Sequence, residues 1–439
     1  MITEQREGQE AFQSFLWELY GQIEQDDPLQ KIRAKGWERF LELGLPDRKN
    51  EVFRYVRLKS FFANNYKPSV FAKVPQLVIE PHILPECRQS VAVFINGQYS
   101  PLHSRLDGIP KRVAMETLAE GMKTYGTFLN SQFVKSLKEE TDPFAVLNAA
   151  LHRDGLFLYL PPKTLIDPPL QLLNVIDAGS TPMFITPRVQ IFAGMQSELS
   201  VVSTQAILSG EDYAFNMTAE ISLEDDAQVR YIQSASGIGE RIWHFDALRA
   251  VLKRNSTLKT VNVTEGSATS RFDYRVVLTG PNAEVFLNGV WMLSRKNEAH
   301  IHVLVDHQAP NCRSMQLFKG ALDGMSQSSF EGKILVRQAA QKTEAFQLNQ
   351  NLLLSDRASA DSKPNLEIFA DDVKASHGTT VGQLDKDQIF YMKTRGFTES
   401  AAKSLLVYGF CQEVINLVSV PSLHEKLCLY HSKKWYTEE

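Results

Sequence analysis

Residues 347–397 read QLNQNLLLSDRASADSKPNLEIFADDVKASHGTTVGQLDKDQIFYMKTRGF, and two kinds of structure meet inside them. Short apolar runs, Leu352 to Leu354 and Leu366 to Phe369, are separated by Asp, Ser, Asn and a Lys-Pro pair, which is the chemistry of strands and turns. From Asp385 the pattern changes. Ile389, Phe390 and Met392 alternate with Lys386, Lys393 and Arg395, which suits a helix lying on a sheet, and Gly396 after Arg395 is a natural stop because glycine accepts the left-handed cap. Between the halves, Lys374-Ala375-Ser376-His377-Gly378 predicts a turn of small residues carrying one imidazole.

Upstream of this stretch lies a long β region. Residues 156–160, 170–176, 188–192, 198–203, 215–223, 228–234, 257–264, 272–278, 283–293, 300–305 and 328–336 all read as strands, with almost no helix between them. So many short strands without crossover helices predict a mainly β stack, whether sandwich, barrel or parallel β-helix. Recurrence every ~15 to 20 residues with irregular turns favours a solenoid, in which each coil buries its face only against its neighbours.

The chain before it is helical and mixed. Phe12, Phe15, Leu16, Leu19 and Ile23 define one apolar helix face, and Asp27-Pro28 opens a second helix through Leu29, Ile32, Trp37, Phe40 and Leu41 to Gly44. These two helices suit either a cap over one end of a larger domain or a small docking module. Val91 to Asn96 runs into Asn96-Gly97, a tight-turn signal; residues 113–137 read as helix, and Asp142-Pro143 caps another helix through Leu151. After Phe397, Thr398 caps a helix with a wide apolar arc, and Pro421 opens a last one that runs into the polar tail Lys433 to Glu439. The expected domains are 1–150, helical and mixed; 151–384, the β core; and 385–439, helical.

Composition narrows the function classes. The 439 residues are 43% hydrophobic and 22% charged with a formal net charge of −4, ordinary for a globular chain and without the basic footprint of a nucleic-acid binder. No run approaches the roughly 20 apolar residues of a membrane span, the polar start is no secretory signal, and four scattered Cys suggest reduced thiols; a cytoplasmic location is expected. Gly332-Lys333 is followed by Ile334, so there is no phosphate-binding loop, and HExxH, CxxC and GxSxG are absent. His300, His302, His307 and Cys312 are candidate soft ligands, with His300 and His302 on one strand face, but strand histidines more often serve structure and the spacing matches no closed metal site. Glu367, Asp371 and Asp372 would suit acid/base chemistry in a β-helical carbohydrate enzyme, although turn formation is the commoner job of such residues.

The run ADSKPNLEIFADDVKASHGTTVGQLDKDQIFYMKTRGF resembles the core signature of the SufB/SufD family, proteins of the SUF machinery that assembles iron–sulfur clusters. The resemblance continues upstream through His307, Pro310, Cys312, Phe318-Lys319-Gly320, Gly332-Lys333-Ile334, Gln341-Lys342-Thr343 and Asn349-Gln350-Asn351, and more weakly at Gly44-Leu45-Pro46 and Asp142-Pro143-Phe144. ADSKP and VKASHG are similar to the SufD branch of the family rather than the SufB branch, although Ala375 stands where many of that branch carry Cys. The resemblance implies a right-handed parallel β-helix flanked by N-terminal and C-terminal helical regions. It implies a non-enzymatic scaffold with no tightly bound cofactor, pairing with SufB through the β-helix and sharing a transient Fe–S cluster there, with His377 as a ligand. It implies that the SufC ATPase, where ATP hydrolysis is expected, docks on the C-terminal helices, for which Phe390, Tyr391, Arg395, Gly396 and Phe410 are the candidate contacts. A SufB-like primary scaffold with a sulfur-accepting Cys312 or Cys411 is the alternative within the family.

Overall fold

Two parallel sheets laid face to face take up the strands of the β region alternately, so that every coil contributes one strand to each. The computed structural model describes residues 2–23, 27–47, 49–210, 212–235 and 241–435. The first sheet runs from Leu156–Leu160 through Arg188–Ala193, Tyr213–Leu223, Trp243–Leu252, Thr269–Leu278, Glu298–His307 and Gln327–Val336 to Ser359–Ile368. The second runs from Leu170–Asp177 through Glu198–Ser209, Gln228–Ala235, Thr257–Thr264, Glu284–Leu293, Arg313–Leu322 and Thr343–Leu353 to Val373–Gly382. The result is a β-solenoid of about seven turns, the parallel β-helix expected from the resemblance.

Alternation along each strand divides the side chains. In Glu298–His307, Ala299, Ile301, Val303 and Val305 enter the interior between the sheets, where they meet Phe272, Tyr274, Val276 and Phe330. Strands covered on both faces read as near-continuous apolar runs, which is why so many were visible in the sequence. The coils are tied at one corner by residues in the left-handed region: Gln196, Asp226, Asn255, Asn282, Asn311 and Lys342, with φ between 56° and 61°. Each backbone N–H there donates to a carbonyl in the next coil's turn, from Gln196 to Asp225 at 3.0 Å and onward to Lys342 and Asp372. Asn and Asp tolerate this conformation best, and Asn255 and Asn282 also link by side chain to the preceding coil.

Several strands had no clear apolar signal. Trp243–Leu252 and Arg313–Leu322 send His244, Asp246 and Gln316 inward, and Thr343–Leu353 does the same with Gln347, Asn349 and Asn351. Ser359–Ile368 contains Pro364, which is tolerated because this is an edge strand whose outer side has no ladder to complete. The segment read as a small-residue turn, Lys374 to Gly378, belongs to the strand Val373–Gly382, and His377 lies within it.

The helical regions cover sides rather than ends. The helices Ile2–Gly21 and Gln30–Leu43 pack through Phe12, Leu16, Trp37 and Phe40, with Phe61, Phe144, Phe184, Trp243 and Phe245, on the outer face of the first sheet. Helix Pro143–Leu151 starts where expected, capped by Asp142 accepting from the amides of Phe144 and Ala145. The predicted Asn96-Gly97 turn joins Val91–Ile95 to Gln98–Arg105, and this hairpin extends the second sheet beside Leu170–Asp177, so the mixed region shares the solenoid's sheets. On the opposite side, Glu399–Ile415, capped by Thr398, lays Val407, Cys411, Val414 and Ile415 on Val261, Val263, Val290, Met292 and Ala321 of the second sheet. The last helix spans Pro421–Trp435, and residues 436–439 of the expected polar tail lie outside the described residues.

Candidate functional site

The last coil is the part of the solenoid whose strands are covered least. Ser359–Ile368 pairs with Gln327–Val336, Val373–Gly382 pairs with Thr343–Leu353, and among the described residues the far edge of each is open. An open edge presents a row of backbone donors and acceptors that a further strand can take up. Inward-row positions that are fully buried in earlier coils are half-exposed or exposed here: Val373 and Ala375 pack on Ile334, Val336, Ala340 and Ala345, while His377 is exposed. His377 stands in register with Gln347 of the preceding coil, and among the described residues no side chain bonds its ring. A neutral imidazole so placed is a competent ligand for iron or another borderline metal ion.

Carboxylates near it are engaged in ordinary ways. Glu367 pairs with Lys333 at 2.6 Å, and Asp371 and Asp372 form the turn between the two last strands, where the Asp372 carbonyl completes the turn ladder. His300 and His302 do share one strand face, but each has its own partner: His300 bonds Ser329 and Glu298, and His302 meets Asp273 at 2.7 Å. His307 points to the interior, where it bonds Ser314 and burial pushes its imidazole down to about 4. Cys312 is buried against the Gly280 carbonyl, and among the described residues no group of three such side chains is placed to hold a metal ion.

A dense polar constellation joins the N-terminal region to the first sheet. Arg249 bonds Glu140 at 2.6 Å and Asp273 at 2.6 Å, while Arg271 meets Asp142 and, at 2.8 Å, Asp273, and covers the ring of Phe53. Burial alone would raise Glu140 and Asp273, but Arg249, joined by Arg271 at Asp273, holds both below the usual carboxylate range. Burial, together with the neighbouring Asp273 and Glu140 charges, outweighs Arg271 and Arg249 at Asp142 and raises it. The cluster is packed shut and presents no face to a ligand.

The candidate partner-binding residues divide in two. Helix Lys386–Thr394, capped by Asp385, buries none of its residues, so it does not lie flat on a sheet; Phe390 is 69% exposed and Tyr391 59%. Arg395 stacks on Tyr391 at 5.2 Å, and Gly396, at φ 92°, stops the helix as its sequence predicts. Phe410 belongs elsewhere: it is half-buried in the opposite packing surface, under the Lys319 ammonium at 4.5 Å, and Lys319 is paired with Glu413. Between the exposed helix and the solenoid runs a groove of about 610 Å³, lined by Leu353, Leu354, Leu384, Ile389, Val407 and Trp435. Leu384 and Trp435 escaped the sequence reading because neither sits in a periodic run.

Burial pushes the thiols of Cys87 and Cys411 up to about 12 and raises Cys312 as well, whereas Cys428 is half-buried. In the folded chain a water-soluble thiol reagent is therefore expected to modify Cys428 first and to leave the other three until unfolding, which a timed labelling experiment with mass spectrometry checks.

Comparison with known proteins agrees with this geometry. Residues 175–410 match the family model described as SUF system FeS cluster assembly, SufBD core domain, and residues 17–172 match the SufBD protein N-terminal region. The chain is 28% identical over 396 residues to an iron–sulfur cluster assembly SufBD family protein of Synechocystis, covering 88% of this chain and 86% of that one. It is 26% identical over 403 residues to the iron–sulfur cluster assembly protein SufD of Escherichia coli, covering 89% of each, and 29% identical to the chloroplastic protein ABCI7 of Arabidopsis thaliana, covering 88% and 82%. With its core model matched over more than half its length, on a solenoid that ends in an open coil, the chain belongs to the SufBD family of SUF-system iron–sulfur cluster assembly proteins.

Proposed function

We propose that this chain is a non-catalytic, SufD-type scaffold subunit of a cytoplasmic SUF complex, which pairs with SufB through the open last coil and shares a nascent cluster there through His377. The observation that carries the reading is the last coil itself, where two strand edges, open among the described residues, and one exposed imidazole occur together. The cluster is cargo, held between subunits and passed on. The exposed helix Lys386–Thr394 and its groove are the SufC contact, with Phe390 and Tyr391 as apolar anchors and Arg395 beside them. Phe410 is left out of that contact, since it is already packed. Nucleotide turnover in SufC would move the two scaffold subunits relative to one another and open the seam, with the free energy entering at the ATPase.

Co-expression of this chain with SufB and SufC is expected to give a complex of one SufB, two SufC and one copy of this chain. Anaerobic cluster content is expected to fall severalfold in His377→Ala while the stoichiometry holds. A chain that stays alone would sink the scaffold assignment. A His377→Ala complex that retains its cluster would sink the ligand assignment alone.

A further inference from the structure

Gln347 stands on the inward row of the second sheet and is 3% exposed. Its Nε2 donates to Gln316 Oε1 on the preceding coil at 2.8 Å, while its own Oε1 is buried and, among the described residues, has no partner. A buried amide oxygen left unbonded costs about 1–3 kcal/mol, so such an atom in a packed interior needs an explanation. The two ends of an amide diverge from one carbon. With Nε2 engaged by Gln316, Oε1 is the end of the amide left to bond elsewhere.

The residue in register on the following coil is His377. In-register neighbours on adjacent strands have Cβ atoms about 5 Å apart, within reach of a glutamine and an imidazole. Across the interior, the first sheet offers Gly332 and Pro364 at paired positions, neither with a side-chain donor. Gly332 also fixes the amide in place: a Cβ there would lie 2.1 Å from Gln347 Nε2, so the amide occupies the space that the glycine leaves.

We infer that Gln347 is a positioning residue for His377: the two are not bonded in this structure, but a turn of the exposed His377 ring lets the unbonded Oε1 accept the N–H of one ring nitrogen and leaves the other nitrogen, with its lone pair, facing the open edge. A partner of this kind sets the tautomer and orientation of an imidazole and so prepares it to bind a metal ion. The metal-binding half rests on the function proposed above; the hydrogen bond does not.

The test uses the full chain labelled with nitrogen-15 histidine at about pH 8.5, two units above the ordinary imidazole pKa. His377 is assigned by the signals lost in His377→Gln, and its ring nitrogens are read for tautomer. Wild type is expected to show one tautomer, and Gln347→Glu, which keeps an acceptor, to show the same one. Gln347→Met, similar in length but with no oxygen, is expected to show both. A mixture in wild type, or a single unchanged tautomer in Gln347→Met, would overturn the inference. Should Gln347→Met fail to fold, the wild-type and Gln347→Glu spectra still decide, because a mixture in either one defeats it. No iron and no partner enter this readout, so its failure is distinct from retention of cluster by a His377→Ala complex.

Discussion

Arg249→Met is expected to destabilise the chain by about 3–5 kcal/mol, because it leaves Glu140 as a buried carboxylate without its cation and Asp273 with Arg271 as its remaining guanidinium. The loss arises from the stranded charges more than from the bonds removed, so the triple change with Glu140→Gln and Asp273→Asn should recover much of it. Acid titration gives a second readout. Glu140 and Asp273 have folded-state pKa values held below their unfolded ones, so their contribution is present above the ordinary carboxylate range and is lost as the pH falls through the folded values. Asp142 is shifted the other way, favours folding when protonated, and partly offsets them as the pH falls. Denaturant midpoints between pH 3 and pH 7 should therefore fall on the acid side in wild type, and the Arg249→Met curve should be flatter. A pH dependence identical in the two proteins would show that Arg249 does not set these carboxylates.

Phe61→Ala is expected to cost about 3–5 kcal/mol and to loosen the N-terminal cover from the solenoid. Phe61 is fully buried and touches six rings: its neighbour Phe62 at 5.4 Å, Phe12 at 5.0 Å, Phe144 at 5.5 Å, Trp243 and Phe245 at 5.3 Å, and Tyr66 at 5.2 Å. Truncation removes one side of each contact, and surrounding rings, fixed on a sheet and two helices, collapse poorly into the void. Coils of a solenoid depend on their neighbours, so the strands from Thr257 onward should keep their amide protection while residues 2–66 become accessible to protease. Equal loss of protection along the whole solenoid would contradict that separation.

The fold was legible wherever strand burial was two-sided and apolar. Leu156–Leu160 and Thr257–Thr264 are found where the sequence placed them, as are the caps at Asp142 and Thr398, because a cap is one side chain bonding its own helix. Strands with polar inward residues were missed, since Gln316, Gln347 and Asn349 gain their partners from other coils, at a distance in sequence that no local pattern reports. The same limit applied to the site. His377 was visible as a lone imidazole in a family-like run, yet Ala375, His377 and Gly378 read as a turn because small and polar residues are rare in strands; they are tolerated here because the final coil has no further coil to pack against. The helical regions were placed at the ends because solenoids need caps, whereas their apolar arcs cover the flanks, a matter of three-dimensional packing that periodicity does not contain.

The left-handed corner residues from Gln196 to Lys342 recur at intervals of roughly 30 residues, and each hands one amide to the next turn. That makes the coil a unit of currency for length change in evolution. A duplication or deletion spanning one whole interval would restore every corner bond and return inward residues to the interior, whereas a change of ten residues would break a corner and leave one sheet a strand out of step. Lineages of this architecture should therefore differ in size by whole coils inside the solenoid, and by arbitrary lengths only in the loops and helices outside it.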